Sequence, residues 1–192
     1  DFLPSFWRAL DALSVSPDRA IRYIFFDDRQ RLFGNRDRKD AVPGSDNAIV
    51  LRTNWRNTPR IHSHISDFEP VLRDTSCAAP EGVPVLHVAA SEDPRASLIR
   101  VLSQLVHDEG IAPSDIVLLT GKARAKSQLR DIGGPVRTAE MTGSPTPNAV
   151  RISTVHAFKG LESPVVILGE LSHLAPDQRR RLHYVGASRA MS

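Results

Sequence analysis

Val150-Arg151-Ile152-Ser153-Thr154-Val155-His156-Ala157-Phe158-Lys159-Gly160-Leu161-Glu162-Ser163-Pro164-Val165-Val166-Ile167-Leu168 is the stretch on which the fold turns. It opens on a β-branched run suited to a buried strand and closes on a second one. Between them Thr154, His156, Lys159 and Glu162 crowd one connection, and Gly160 allows a close approach of backbone. Two readings are open for these residues alone. The connection is structural with a chance cluster of polar groups, or it is a ligand-binding loop.

Working outward, strand-like and helix-like patterns alternate. Apolar residues at helical spacing predict helices over 6–13, 59–68, 93–108, 123–132 and 176–190. Short apolar runs predict strands over 21–26, 49–51, 83–88, 116–119, 150–154 and 165–168. The polar stretch 34–47, with Gly34, Pro43 and Gly44, reads as a loop or linker. Short buried strands alternating with helices predict an α/β fold, a parallel sheet sandwiched by helices. Such sheets hold ligands in the loops after their strand C-termini, where the chemistry is expected.

Composition sets bounds. The chain has 192 residues, 41% hydrophobic and 24% charged, so it can bury a core and is not of disordered type. A net charge of +3 does not by itself demand a polyanion. The single cysteine, Cys77, excludes a disulfide framework and makes the cytoplasm the expected compartment. No run of apolar residues is long enough to span a membrane, and the N-terminus lacks a signal-peptide pattern.

The run Thr154-Val155-His156-Ala157-Phe158-Lys159-Gly160-Leu161-Glu162 resembles motif V of the UvrD/Rep-type superfamily 1 DNA helicases. His183-Tyr184-Val185-Gly186-Ala187-Ser188-Arg189-Ala190 resembles motif VI, with Gly186 and Ser188 at conservatively changed places. Asn54-Trp55-Arg56-Asn57-Thr58 is similar to motif IV, with Trp55 replacing the usual tyrosine or phenylalanine. Phe26-Asp27-Asp28-Arg29-Gln30-Arg31-Leu32-Phe33 is similar to motif III, with Phe26 where glycine is common. Asp1-Phe2 followed by Trp7 resembles the end of the motif II region. The motifs keep the family's order and cover nearly the whole chain.

The resemblance implies a RecA-like second motor domain over 47–192, of the P-loop NTPase type but lacking its own P-loop. Residues 1–46 would be the tail of the first RecA-like domain and a linker. It implies ATP hydrolysis in a cleft between the two halves. Arg56 and the arginine finger Arg189 would face the γ-phosphate, with Gln30 sensing it. Glu162 would hold the ribose, Trp55 would stack on the base, and Lys159 and Gly160 would complete the nucleotide side. Phe33, Arg36, Thr154 and His156 would line a track for single-stranded DNA. Asn35 stands where better-studied members carry a second aromatic, and Arg36 is expected to reach a phosphate instead.

The sequence holds no Gly-x-x-x-x-Gly-Lys-Ser/Thr, and Gly121-Lys122 lacks the preceding glycine and the following hydroxyl residue. The P-loop lysine and the Mg²⁺ carboxylates are therefore expected upstream, in the N-terminal RecA-like half, and the chain is expected to be truncated before a last strand. The interval from Arg56 to Thr154 just fits core elements, which points to a compact member. His62 and His64 fall on two faces of one helix, so no metal site is expected. Arg179-Arg180-Arg181 reads as a solvated helix face. Two further functions stay open. One is a non-hydrolysing clamp on DNA or a partner protein; the other is part of a nuclease-helicase in DNA repair or phage defence.

Overall fold

A computed structural model describes residues 4–14, 16, 21–30, 32, 47–89, 93–129, 132–141 and 147–191. The chain divides into two compact units, Asp1–Leu51 and Arg52–Ser192. The expected residues Phe33 and Arg36, and most of the predicted linker, lie outside the described residues.

In the first unit, helix α1 spans Pro4–Ala12, and Arg22 pairs with Asp11 beside its end. The strand expected over 21–26 is not found among the described residues. These residues have no assigned regular structure and no ladder partner among the described residues, and Ile21, Tyr23 and Phe25 are more than four-fifths exposed. Asp28–Gln30 make one 3-10 turn, stapled by the Gln30 amide donating to the Asp27 carbonyl at 3.1 Å.

The second unit is an α/β arrangement built on a four-stranded, all-parallel sheet in the order β4-β5-β3-β6. Its strands are β3 (Ile116–Thr120), β4 (Thr138–Glu140), β5 (Val150–Thr154) and β6 (Val165–Gly169). The two adjacent strands β1 (Thr53–Asn54) and β2 (Ser76–Cys77) form a separate parallel pair. β3 is central and wholly buried, as an uninterrupted Ile-Val-Leu-Leu run requires.

Alternate residues along β3 serve opposite faces. Ile116 and Leu118 join Val150 and Ile152 of β5 in a core with Leu98 and Leu102 of helix α3 (Pro94–Ser103). On the other face lies helix α4 (Pro176–Ala187), where the Cα of Gly186 approaches Leu168 and Val155 closely. Helix α2 (Pro59–Phe68) packs against α4. Helices on both faces of a parallel sheet are compatible with a RecA-like domain.

The helix starts are legible. Thr58-Pro59 and Asp93-Pro94 each pair a capping side chain with a proline at the first helical position, which has no amide to satisfy. The Asp93 carboxylate accepts the Arg95 and Ala96 amides at 2.9 and 3.2 Å. The expected helix over 93–108 forms as α3 followed by a π-helical turn, Gln104–Asp108.

Other expected elements are corrected. Residues 49–51 and 83–88 have no regular structure and no ladder partner among the described residues, with Ile49, Leu51 and Leu86 more than 70% exposed. The helix expected over 123–132 is a short 3-10 turn, Arg124–Lys126, followed by irregular chain. Among the described residues, no helix is long and apolar enough to cross a membrane.

Candidate functional site

The segment after β5 begins with a tight turn. Thr154 accepts the Ala157 amide on its side-chain oxygen at 3.1 Å, and its carbonyl accepts the Phe158 amide at 3.0 Å. Val155 and Phe158 are driven into the core at 1% and 0% exposure, which pins the turn from below. Gly160 closes it at φ +88°, a left-handed conformation that costs a glycine little. His156 is half-buried, and that burial lowers its pKa, so the ring is held neutral at physiological pH.

From the turn the chain runs back along the sheet to start β6, and this separates residues that are close in sequence. Thr154 pairs with Thr120, the last residue of β3, so it stands at the C-terminal edge. Ser163 donates from its hydroxyl to the Asp115 carbonyl at 2.7 Å, immediately before β3, so it stands at the N-terminal edge. Four residue steps at about 3.3 Å put the two edges roughly 13 Å apart. The single ligand loop expected after β5 is thus two half-sites: Thr154 and His156 at one edge, Glu162 at the other.

At the N-terminal edge three segments converge. Asn54 makes an Asx-type turn, accepting the Arg56 and Asn57 amides at 2.9 and 3.1 Å. That turn presents Arg56, whose Nε lies 2.7 Å from a Glu162 carboxylate oxygen. Asn57, 3% exposed, donates from its side-chain amide to the carbonyls of Ser188 and Ala190 at 3.1 and 2.8 Å. Ser163 joins the same knot: its amide donates to the Arg189 carbonyl at 3.1 Å, and its carbonyl accepts the Met191 amide at 3.2 Å.

Residues 54–57, 162–163 and 188–191 are therefore one hydrogen-bonded unit drawn from three distant parts of the chain. Residues 149–192 match the family model of the UvrD-like helicase C-terminal domain. The matched UvrD-like segment carries β5, the turn, β6 and α4, and so most of this unit, and it supports a helicase-type function. No curated protein matches the chain.

The expected site residues sort by location. Arg56 and Glu162 meet in the ion pair described, and Trp55 beside them is 75% exposed, its ring open to solvent. Lys159 and Gly160 lie on the turn between the two edges. Arg189, at the end of the UvrD-like segment, is only 2% exposed. Its guanidinium folds back on α4, donating from Nε to the Val185 carbonyl at 3.2 Å and from Nη2 to Ser188 Oγ at 3.0 Å. Gln30 belongs to the first unit, half-buried in its 3-10 turn.

Asn57 and Ser163 were not singled out by sequence reasoning, although they tie the unit together. Their signal was weak: an asparagine before a helix cap and a serine before a proline are common surface residues.

A second titratable cluster lies where α2 meets α4. His64 Nε2 and His183 Nε2 are 2.8 Å apart, so one ring must donate and the other accept. The His87 ring lies 5.0 Å from that of His64, and Phe68 stacks on His183 at 3.8 Å. Burial, then the nearby His64 and His87, push the His183 pKa down to about 4. Burial and His87 lower that of His64 against the opposing pull of Asp67.

Proposed function

We propose that the chain is the C-terminal motor half of an ATP-dependent DNA helicase or translocase. In this reading residues 47–192 are the second RecA-like domain and residues 1–46 the tail of the first. The observation that carries it is the joining of Arg56, Glu162 and the Arg189 segment at one edge of the sheet, with Thr154 and His156 at the other. A motor needs such an arrangement, because nucleotide state and grip on the strand must be linked through one rigid body. Residues 155–161 join Thr154 at one edge directly to Glu162 at the other.

On the nucleotide side, Arg56 and Arg189 would neutralise charge on the transferring phosphoryl group, a contribution typically worth about 10³–10⁵ in rate. Glu162 would accept from ribose hydroxyls, and Trp55 would offer its exposed face to the base, with Lys159 and Gly160 beside them. Arg56 is paired with Glu162, and Arg189 is folded onto its own helix. Binding of the nucleotide would release both arginines, a population shift drawn by the γ-phosphate. On the strand side, Thr154 and neutral His156 would donate hydrogen bonds to single-stranded DNA; contacts from Phe33 and Arg36 to DNA, and a linking role for Gln30, remain part of the proposal.

Glu162 is engaged by Arg56, Glu170 by two hydroxyls, an amide and Lys122, and the described residues hold no group of three ligands able to take a metal. Mg²⁺ and the P-loop lysine belong in this proposal to the N-terminal RecA-like half.

The burial of Arg189 favours one second reading, a non-hydrolysing clamp on DNA or a partner. ATP turnover by the chain joined to a P-loop-bearing half, with and without single-stranded DNA, separates the two. The motor reading expects turnover that DNA stimulates. Strand binding without turnover would leave the clamp.

A further inference from the structure

Glu170 lies at the sheet edge that holds Thr154, hydrogen-bonded to the Thr120 hydroxyl. It follows β6 with φ +55°, a left-handed conformation that an L side chain adopts at a cost of order 1 kcal/mol or more. Its carboxylate is nine-tenths enclosed and fully engaged. Oε2 accepts the Thr120 hydroxyl at 2.5 Å and the Ser127 hydroxyl at 2.6 Å, and Oε1 accepts the Gln128 amide at 2.9 Å. Lys122 Nζ lies 3.4 Å from Oε1. Burial opposes ionisation most strongly, but the Ser127 and Thr120 hydroxyls, the Gln128 amide and Lys122 together hold the carboxyl below its ordinary value.

The partners of Glu170 are the two ends of one loop, residues 120–128, which leaves β3 at the same sheet edge as Thr154. The Val155 amide donates to the Thr120 carbonyl at 3.1 Å, so the loop and the Thr154 turn share a strand end. Gly121 passes so close that a Cβ there would stand 2.9 Å from the Glu170 carbonyl oxygen. The loop reads Gly121-Lys122-Ala123-Arg124-Ala125-Lys126, basic at every second position with no acid among them. Lys126 is exposed.

We infer that Glu170 is a positioning residue: it braces the 120–128 loop so that Lys126 meets a phosphate of the same single strand that Thr154 and His156 contact. The inference rests on the motor reading for the presence of that strand. The bracing reaches the strand end through Thr120 and the loop's far end through Ser127 and Gln128, so the loop keeps one shape whether or not a strand is bound. A preorganised cation spends less ordering entropy on binding.

The test is binding of a labelled oligothymidylate to the chain over a fourfold rise in salt. Each phosphate contact on a single strand contributes about 0.7 to the salt slope. K126A is expected to lower the slope by about that amount, so that its binding weakens roughly 2.6-fold less over the range. E170Q should lower it similarly, and the double variant should do no more than E170Q alone. If E170Q does not fold, S127A, which removes one brace, takes its place and should shift the slope in the same direction. An unchanged slope in K126A and E170Q, or additive effects in the double variant, overturns the inference while leaving the motor reading intact. Failure of the unaltered chain to bind the strand at any salt overturns both.

Discussion

Acidification should weaken the second unit through the α2–α4 contact, and His183 sets the size of the effect. The unfolded imidazole takes up its proton near the ordinary value of 6.5, whereas the folded one holds out to about 4. Between those values the unfolded state binds more protons, so stability is fully present above about pH 6.5 and is lost as pH falls towards 4. At about 1.4 kcal/mol per unit the difference is worth about 3 kcal/mol, reduced to about 2 by solvent at the ring's partly exposed edge. Protonating both His64 and His183 would also set two cations against each other across a 2.8 Å contact. In His183→Phe the stack on Phe68 is kept and the titration removed. Near pH 5 the slope of stability against pH should then fall by close to one proton, about 1.4 kcal/mol per pH unit. Urea unfolding followed by circular dichroism from about pH 4.5 to 7.5 reads this directly. His62, His64 and His156 are also held low, so a residual slope should persist. Equal slopes in the two proteins would refute the reasoning.

Further outcomes follow from the same geometry. Asn57→Ala removes both donors to the Ser188 and Ala190 carbonyls from a buried position and should cost about 2–3 kcal/mol in the urea midpoint analysis. Glu162→Ala should change stability by less than about 1 kcal/mol, because its pair with Arg56 is partly exposed, so any larger loss of ATP affinity in that variant is a loss of contact with nucleotide. Gly121→Ala sets a methyl against the Glu170 carbonyl and the Leu171 side chain, and should cost about 1–3 kcal/mol in thermal unfolding. Gly186→Ala is milder. The new methyl crowds the tip of Leu168 at 2.8 Å and meets Val155 at an ordinary 3.5 Å, and the gain in helix propensity of about 1 kcal/mol offsets the strain, so a melting shift of a few degrees at most is expected.

What the sequence made legible was whatever repeats with a period or carries a cap. β3, β5 and β6 announced themselves as β-branched runs, and α2, α3 and α4 as apolar spacing after Thr58-Pro59, Asp93-Pro94 and Pro176. Residues 21–26, 49–51 and 83–88 carry the same strand signal but have no ladder partner among the described residues, and composition does not supply one. β4 failed in the opposite sense: Thr138-Ala139-Glu140 is short and polar, and is recruited by the edge of β5. The helix expected after Ala123 is lost to competition. Ser127 and the Gln128 amide are captured by Glu170, which lies more than forty residues away in sequence.

The site was legible as a set of residue types but not as a geometry. Thr154 and Glu162 are eight positions apart and read as one loop, yet the chain crosses the sheet between them. Arg56 and Glu162 gave no local hint of their pairing. The enclosure of Arg189 was also unreadable, since an arginine at a helix end is ordinarily solvated.

In the proposed motor, the edge holding Arg56, Glu162 and Arg189 works on ATP and is linked to the edge holding Thr154. The most direct test is single-stranded-DNA-stimulated ATP turnover by the chain joined to its P-loop-bearing half, comparing the unaltered protein with Arg56→Ala and Arg189→Lys. Arg56 is partly exposed, whereas Arg189 is enclosed, so circular dichroism first checks that Arg189→Lys is folded. The account predicts that stimulated turnover falls about 10³-fold or more in Arg189→Lys, and falls also in Arg56→Ala, while DNA binding is retained. Turnover that is indifferent to both substitutions would contradict it.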